Sequence, residues 1–226
     1  MVGKTLMRTL CCVLVLLLGC GMLMAQSRPK SFHVNPNPNR VITPTPRSDS
    51  AAAQVTFFSN LGPTPDNNYY SLNGWVVAGP SDVTFGEQWV GMPFIPKQTG
   101  HVRQIKVPIG WIEGTNKFVV GLYSDNGAGT VGTLMKQAVL QNAPTFGDCC
   151  TLMTANMGNP GVAITAGTQY WVVANHHPTA LDFGGAWAWT NLLQAFSIAD
   201  GTDWTTYNIG DFGLGNTAMS VSGTVP

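Results

Sequence analysis

Two adjacent cysteines, Cys149 and Cys150, have the most distinctive chemistry in this chain of 226 residues. The other three cysteines, Cys11, Cys12 and Cys20, all lie in an N-terminal apolar segment. Neighbouring Cα atoms across a trans peptide are about 3.8 Å apart, whereas disulfides favour roughly 4.4 to 6.8 Å. A bond between the pair is therefore strained, and in a regular strand the two side chains would point to opposite faces.

Gly147 and Asp148 precede the cysteine pair and allow a turn that could hold a vicinal disulfide between Cys149 and Cys150. The alternative is one buried and one exposed thiol at the start of a strand. A catalytic redox pair is not expected, because the C-x-x-C spacing and the helix N-terminus that lower a thiol pKa are both missing. In an oxidising compartment, the pair is expected to stiffen a loop.

Histidines and oxygen-rich turns are the candidate metal ligands. His176 and His177 are neighbours, and neighbouring side chains on a strand diverge, so one ion does not readily take both. The turn Asp125-Asn126-Gly127 and residues 66–68 offer oxygens for a structural calcium, but Asn-Gly is also the ordinary hairpin signal and neither stretch has EF-hand spacing. We therefore predict no metal site and no cofactor, with a structural calcium left open.

The carboxylates do not form a recognisable catalytic pair. Glu87 and Glu113 are the only glutamates, and glycoside hydrolysis needs two carboxyl groups facing each other across a sugar. Four aspartates could supply a second carboxyl group, but nothing in their spacing identifies a catalytic pair: Asp182, Asp200, Asp203 and Asp211. The chain also lacks the G-x-S-x-G, H-E-x-x-H and phosphate-loop motifs. We therefore predict no catalytic residues and no enzymatic activity.

Aromatic residues are the most suggestive feature for ligand binding. Trp187 and Trp189 occupy alternate positions and so share one sheet face, and Trp204 and Tyr207 follow soon after. If that face is exposed, it forms a platform on which sugar rings stack. If it is buried, the tryptophans belong to the core, and burial is the preferred interpretation because large aromatics are usually buried.

The first 25 residues have the layout of an export signal. Lys4 and Arg8 precede an apolar run, and Ala25 offers a small residue for cleavage. We expect cleavage there, which makes residues 1–25 a signal peptide and the mature protein a secreted one. Leu-Leu-Gly-Cys at 17–20 resembles a lipobox, so a lipid anchor through Cys20 is the alternative. No stable membrane span is expected after cleavage, since no basic stop-transfer cluster follows.

Residues 26–51 are rich in Pro, Asn and Ser and lack apolar periodicity. Such a segment buries too little surface to offset its ordering entropy, so we predict a disordered tether. Over the whole chain, 11 basic and 11 acidic residues balance. The sequence therefore shows no basic footprint for nucleic acid.

Residues 52–226 are predicted to form one all-β domain. Apolar side chains occupy alternate positions of one run, as in a strand with one buried face: Ile105, Val107, Ile109 and Trp111. Residues 113–116 lead to a second apolar run at 117–124, and the two runs predict a hairpin. Similar runs recur between Gly, Pro, Asn and Asp, which predicts an antiparallel β-sandwich of jelly-roll type.

Three segments of this domain have distinctive sequences: FSNLGP at 58–63, LYSDNGAGTVGT at 122–133 and GTQYW at 167–171. Together they resemble the choice-of-anchor domains of secreted bacterial proteins, in particular the R type, over about residues 55–223. The resemblance implies a secreted β-sandwich, and its motif residues specify turns and core rather than an activity. Such domains often precede a sorting tail. The segment SVSGTVP that ends this chain has none, so attachment through the C-terminus is not expected.

These observations lead to one expected function and one alternative. We expect a secreted, non-catalytic structural or adhesive domain of the bacterial cell surface or extracellular matrix. The alternative is a carbohydrate-binding module that uses exposed tryptophans, and a hydrolase with a site assembled from distant residues ranks third. The expected partners are extracellular polysaccharide or a surface protein.

Overall fold

The computed structural model describes residues 28–34, 54–61, 69–148, 152–190, 196–199, 203–207 and 216–226. Within these ranges the chain is entirely β, and every pair of strands is antiparallel. The predicted antiparallel β-sandwich is therefore confirmed. The described residues include no helix of the length and apolarity that crossing a bilayer requires.

In chain order, the strands are β1 Ser31–His33, β2 Val55–Ser59, β3 Tyr69–Ala78, β4 Trp89–Phe94, β5 Gly100–Val107, β6 Ile109–Glu113, β7 Lys117–Asp125, β8 Val131–Gln141, β9 Met153–Asn156, β10 Val162–Ile164, β11 Tyr170–His176, β12 Gly184–Thr190, β13 Phe196–Ala199, β14 Trp204–Tyr207, β15 Asn216–Thr217 and β16 Ser220–Thr224. They form three sheets. Sheet A has the order β1-β3-β12-β15 with β6 also paired to β12, and sheet B has the order β10-β5-β16-β2 with β9 also paired to β5. Sheet C has the order β14-β13-β4-β11-β7-β8.

One apolar core lies between the sheets, and all three sheets contribute to it. Sheet C supplies alternate residues of each inner strand, as in Val90, Met92 and Phe94 of β4. Sheet A supplies Trp75 and Trp187, and sheet B supplies residues such as Ile105 and Val221. Because side chains alternate along a strand, the other half of each strand points away from this core. The face of each sheet that points away from this core is called its outer face.

The predicted hairpin of residues 105–124 is wrong. The first run divides at Pro108 into β5 of sheet B and β6 of sheet A, and the second run is β7 of sheet C. Proline has no N–H to donate, so a ladder is interrupted where it stands. The chain leaves sheet B at Pro108, adds β6 to sheet A, and then crosses to sheet C as β7. The Asp125-Asn126-Gly127 turn, in contrast, does join a paired hairpin, β7 and β8.

Part of the segment expected to be a tether is ordered. Residues 31–33 form β1, which pairs with β3 at the edge of sheet A. The ring of Phe32 packs edge-on against Phe85 and Phe146, with centroid distances of 5.8 Å to each. The partial burial of Phe32 stabilises this strand, although the polar composition of the surrounding sequence predicted disorder. Residues 35–53 lie outside the described residues.

Candidate functional site

Trp187 and Trp189 share a sheet face, as their spacing predicted, and that face belongs to the core. Trp187 is 0% exposed, and its Nε1 donates a hydrogen bond to the Ala218 carbonyl at 2.7 Å. Trp189 is half-buried and packs beside Trp75, with ring centroids 5.5 Å apart. For these two residues, the structure matches the core interpretation rather than an exposed platform.

Trp204 and Tyr207 lie on opposite faces of β14, because they are three positions apart and side chains alternate. Tyr207 packs against the central core. Trp204 packs instead on the outer face of sheet C, against a separate cluster. Of the four aromatic residues singled out from the sequence, Trp204 is therefore the one that lies on an outward sheet face.

The outer face of sheet C carries a second aromatic cluster, which we call the outer aromatic cluster. Its buried base is Trp171 and Val173 of β11 with Val131 of β8, and Tyr123 and Trp204 pack partly exposed upon it. Trp89 of β4 extends the cluster, because its ring lies 6.3 Å from that of Trp204 at an angle of 63°. Three of the seven tryptophans of the chain therefore lie on this face.

Two glycines make room for these rings. A Cβ at Gly91 would lie 3.2 Å from Cζ3 of Trp204 and 3.1 Å from Cγ2 of Val131. A Cβ at Gly121 would lie 2.7 Å from Cε2 of Tyr123. Both rings thus rest directly against the backbone of the sheet, where any larger residue would displace them. Burial raises the pKa of Tyr123, so its hydroxyl stays neutral at ordinary pH.

Asp125 fastens one end of the cluster to the β7–β8 turn. Its Oδ2 accepts hydrogen bonds from Trp171 Nε1 at 2.9 Å and from Gln169 Nε2 at 2.8 Å, while Oδ1 accepts from the backbone N–H of Gly127 at 2.7 Å and Gly129 at 3.3 Å. Burial opposes ionisation, but these hydrogen bonds together lower the pKa of Asp125. The carboxylate that was a candidate calcium ligand is therefore occupied by donors of the protein itself.

Polar groups border the other end of the cluster. Trp89 Nε1 donates to Glu87 Oε1 at 3.1 Å, and the same oxygen lies 3.8 Å from His176 Nδ1. The His176 ring also packs beside Trp89, with centroids 6.0 Å apart. Burial is the main cause that lowers the pKa of His176, so the imidazole is neutral near pH 7. Glu87 retains partial exposure and faces solvent next to the aromatic rings.

A pair of carboxyl groups lies where β6 meets the loop 79–88. Asp82 is 6% exposed, and its Oδ1 accepts from the backbone N–H of Thr84 and Phe85. Its Oδ2 and Glu113 Oε1 are buried without a hydrogen-bond partner among the described residues, and the two side chains both lie against Gly184. Burial, followed by the charge of Glu113, raises the pKa of Asp82. A proton on Asp82 would supply the donor that both oxygens lack.

Several residues predicted from the sequence lie outside the described residues: Cys20, Cys149, Cys150, residues 66–68, Asp200 and Asp211. The vicinal disulfide and the lipid anchor stay predictions. Within the described ranges, no three His, Cys, Asp or Glu side chains come together as a metal site would need. His177 forms a local contact instead, with its Nδ1 2.9 Å from Oγ1 of Thr179.

Sequence reasoning did not identify Trp89, Tyr123 and Trp171 as neighbours of Trp204. A signal was present in YWVVANH, which is apolar on both faces: Tyr170 and Val172 face the core, and Trp171 and Val173 face outward. A strand that is apolar on both faces indicates a second apolar contact beyond the sandwich core. Which other strands supply that contact depends on strand order in sheet C, which no local pattern encodes.

Comparison of the sequence with models of known protein families and with curated proteins gives no match. The resemblance to the R type of choice-of-anchor domain therefore stays a prediction. Two of its three motifs meet in the fold, because Asp125 of the segment 122–133 accepts hydrogen bonds from Gln169 and Trp171 of the segment 167–171.

Proposed function

We propose that this protein is a secreted, non-catalytic adhesive domain that binds polysaccharide of the cell surface or extracellular matrix through the outer aromatic cluster. The observation that carries the proposal is the position of Trp89 and Trp204, which contact each other on an outward sheet face while remaining partly exposed. Aromatic rings at a surface offer large, rigid contact area at low entropic cost. The C–H faces of sugar rings pack on such rings, and Glu87 beside them can accept a hydrogen bond from a sugar hydroxyl.

The arrangement of the carboxylates supports a role without catalysis. The carboxylates of Asp125 and Asp182 accept hydrogen bonds from groups of the protein itself. Asp125 accepts from the Gly127 N–H, and Asp182 accepts from the Thr115 N–H at 3.1 Å. Asp82 and Glu113 form an acidic pair, but Asp82 Oδ2 and Glu113 Oε1 are both buried, whereas glycoside hydrolysis needs a sugar between its two carboxyl groups. Asp82 is also buried, so a substrate would not reach it.

Retention on insoluble polysaccharide tests the proposal. We expect the purified protein to remain on β-glucan or chitin particles after washing, and the double substitution Trp89→Ala and Trp204→Ala to weaken binding at least about tenfold, which corresponds to roughly 1.4 kcal/mol. Val83→Ala is the matched control, because Val83 is 99% exposed in the loop that precedes β4. The proposal fails if neither particle retains the protein, or if the double variant is retained as well as the control.

A further inference from the structure

The strands of sheet B carry basic side chains and, among the described residues, no acidic ones. His101, Arg103 and Lys106 belong to β5, and Lys97 lies in the turn before it. None of the acidic residues in the described ranges lies on a strand of sheet B: Asp82, Glu87, Glu113, Asp125, Asp148, Asp182 and Asp203. The described residues of this sheet therefore carry an excess of positive charge, although the formal net charge of the chain is zero.

A bulge in β5 places two adjacent side chains on the outer face of sheet B. Val102 and Ile105 are both 0% exposed in the core, so Arg103 and Gln104 between them both point outward. The register with β16 shifts at this position, between Ser222 and Gly223. An extra residue in one strand redirects side chains in this way, and such bulges often adjoin functional sites.

Arg103 and Gln104 line an open groove together with Gln54, Asn156, Gly158 and Asn159. The pairing of the strands continues this polar surface across sheet B, because Ser222 lies opposite both Thr56 and Gln104. The groove residues thus offer amide and guanidinium donors, and hydroxyl groups lie beside them. No aromatic residue lines the groove.

Two basic side chains of this face have no ion-pair partner. Neither Arg103 nor Lys106 forms an ion pair with any described residue. The two residues are three positions apart, or about 10 Å along the strand at a rise of about 3.3 Å per residue. A planar guanidinium binds a carboxylate through two parallel hydrogen bonds, and an ammonium adds a second point charge. This pattern suits an extended ligand with repeated negative charges.

We propose that the outer face of sheet B binds an anionic, carboxylate-bearing polysaccharide along β5. Charge complementarity selects an anionic chain, and the uncharged amides and hydroxyls around Arg103 suit the hydroxyl groups of a sugar polymer. Nucleic acid fits less well, because single-strand binders stack bases on aromatic rings and duplex binders neutralise many phosphates. This site is separate from the outer aromatic cluster, since it lies on sheet B and the cluster lies on sheet C. The domain would therefore have two separate binding sites for polysaccharide.

Titration of the purified protein with polygalacturonate tests this site. We expect binding that weakens as salt is raised, because the Debye length is about 10 Å at 0.1 M and shrinks further above it. The double substitution Arg103→Gln and Lys106→Gln should weaken the binding on the order of tenfold, as expected for losing charge-assisted hydrogen bonds. Lys117→Gln and Lys136→Gln together form the charge-matched control on sheet C, and they should bind as the wild type does.

Two further measurements separate the outcomes. The Trp89→Ala and Trp204→Ala variant should bind polygalacturonate normally, so failure of the aromatic site and failure of the basic face are distinguishable. Neutral dextran of matched length should not bind to the same Trp89→Ala and Trp204→Ala variant, which retains only the site on sheet B. The inference is overturned if the Arg103 and Lys106 variant keeps wild-type affinity with an unchanged urea midpoint, or if duplex DNA binds more tightly than polygalacturonate.

Discussion

Asp125 and Asp82 use their carboxylates to hold backbone groups of their own loops. Each accepts two backbone N–H groups two to four residues further along the chain, the Asx-turn geometry that aspartate favours. They differ in the surroundings of the second carboxylate oxygen, Oδ2. Asp125 Oδ2 has two donors and the pKa of this carboxyl is lowered, whereas burial, followed by the charge of Glu113, raises the pKa of Asp82.

The raised pKa of Asp82 predicts how stability depends on pH. Because the folded state holds this proton more tightly than the unfolded state, the proton stabilises the fold at low pH. That contribution is lost as pH rises above the ordinary value of 3.8 and through the folded pKa. Asp82→Asn keeps the acceptor for Thr84 and Phe85, and its amide can donate to Glu113. We therefore expect the variant to gain stability relative to wild type as pH rises toward 7.

Urea midpoints of wild type and Asp82→Asn at a series of pH values from about 4 to 7 measure this effect, since a change in midpoint at constant slope is a change in stability. Asp203→Asn is a suitable control, because Asp203 is an exposed aspartate. A difference between Asp82→Asn and wild type that stays constant across the pH range would contradict the raised pKa of Asp82.

Among the elements, β1 shows how one side chain can order a polar segment. Its backbone pairs with β3, Lys30 exchanges hydrogen bonds of 2.8 and 2.9 Å with the Gln88 side chain, and Phe32 packs on Phe85 and Phe146. The strand covers an apolar cluster on the outer side of sheet A that includes Ala186 and Ala188. It thereby protects an edge that would otherwise expose unpaired backbone groups.

Phe32→Ala should release β1 while leaving the rest of the sandwich folded. Phe32 is half-buried, so we expect a loss of about 1–2 kcal/mol, below the 3–5 kcal/mol typical of a fully buried phenylalanine. Hydrogen exchange should quicken at the N–H groups of Val34 and Val76, which bond across the β1–β3 pair. Ser31→Ala, at an exposed neighbour, should change neither quantity. Unchanged exchange at Val34 in Phe32→Ala would contradict this role.

At the scale of the whole molecule, Asn60 joins parts of the chain that are distant in sequence. Its Nδ2 donates to the Thr217 carbonyl at 2.9 Å, and its Oδ1 accepts from the Met219 N–H at 2.6 Å. Its backbone carbonyl also accepts from Thr190 Oγ1 at 3.1 Å. Asn60 is 2% exposed, so these groups have little access to water. The residue thus fastens the end of β2 to sheet A and to the corner between β15 and β16.

Asn60→Ala should destabilise the fold globally by about 2–4 kcal/mol, because it leaves the Thr217 carbonyl and the Met219 N–H buried without partners. The urea midpoint should fall with an unchanged slope. Ser59→Ala is a neighbouring control on the same strand, where the hydroxyl accepts only a 3.4 Å hydrogen bond from the Leu61 N–H. A loss below about 0.5 kcal/mol for Asn60→Ala, the range of ordinary surface substitutions, would contradict the role assigned to it.

Local patterns in the sequence determined the fold class and many of the strands, since the alternation of apolar residues from Ile105 to Trp111 is a property of neighbouring residues. They also determined the β7–β8 turn and the shared face of Trp187 and Trp189. Tertiary structure alone decided that this face is buried, that Pro108 separates two sheets, and that Trp89, Tyr123 and Trp171 join Trp204. The basic face of sheet B likewise depends on which strands pair. Strand order brings together residues far apart in the chain, and it is set by the packing of the whole core rather than by any local spacing.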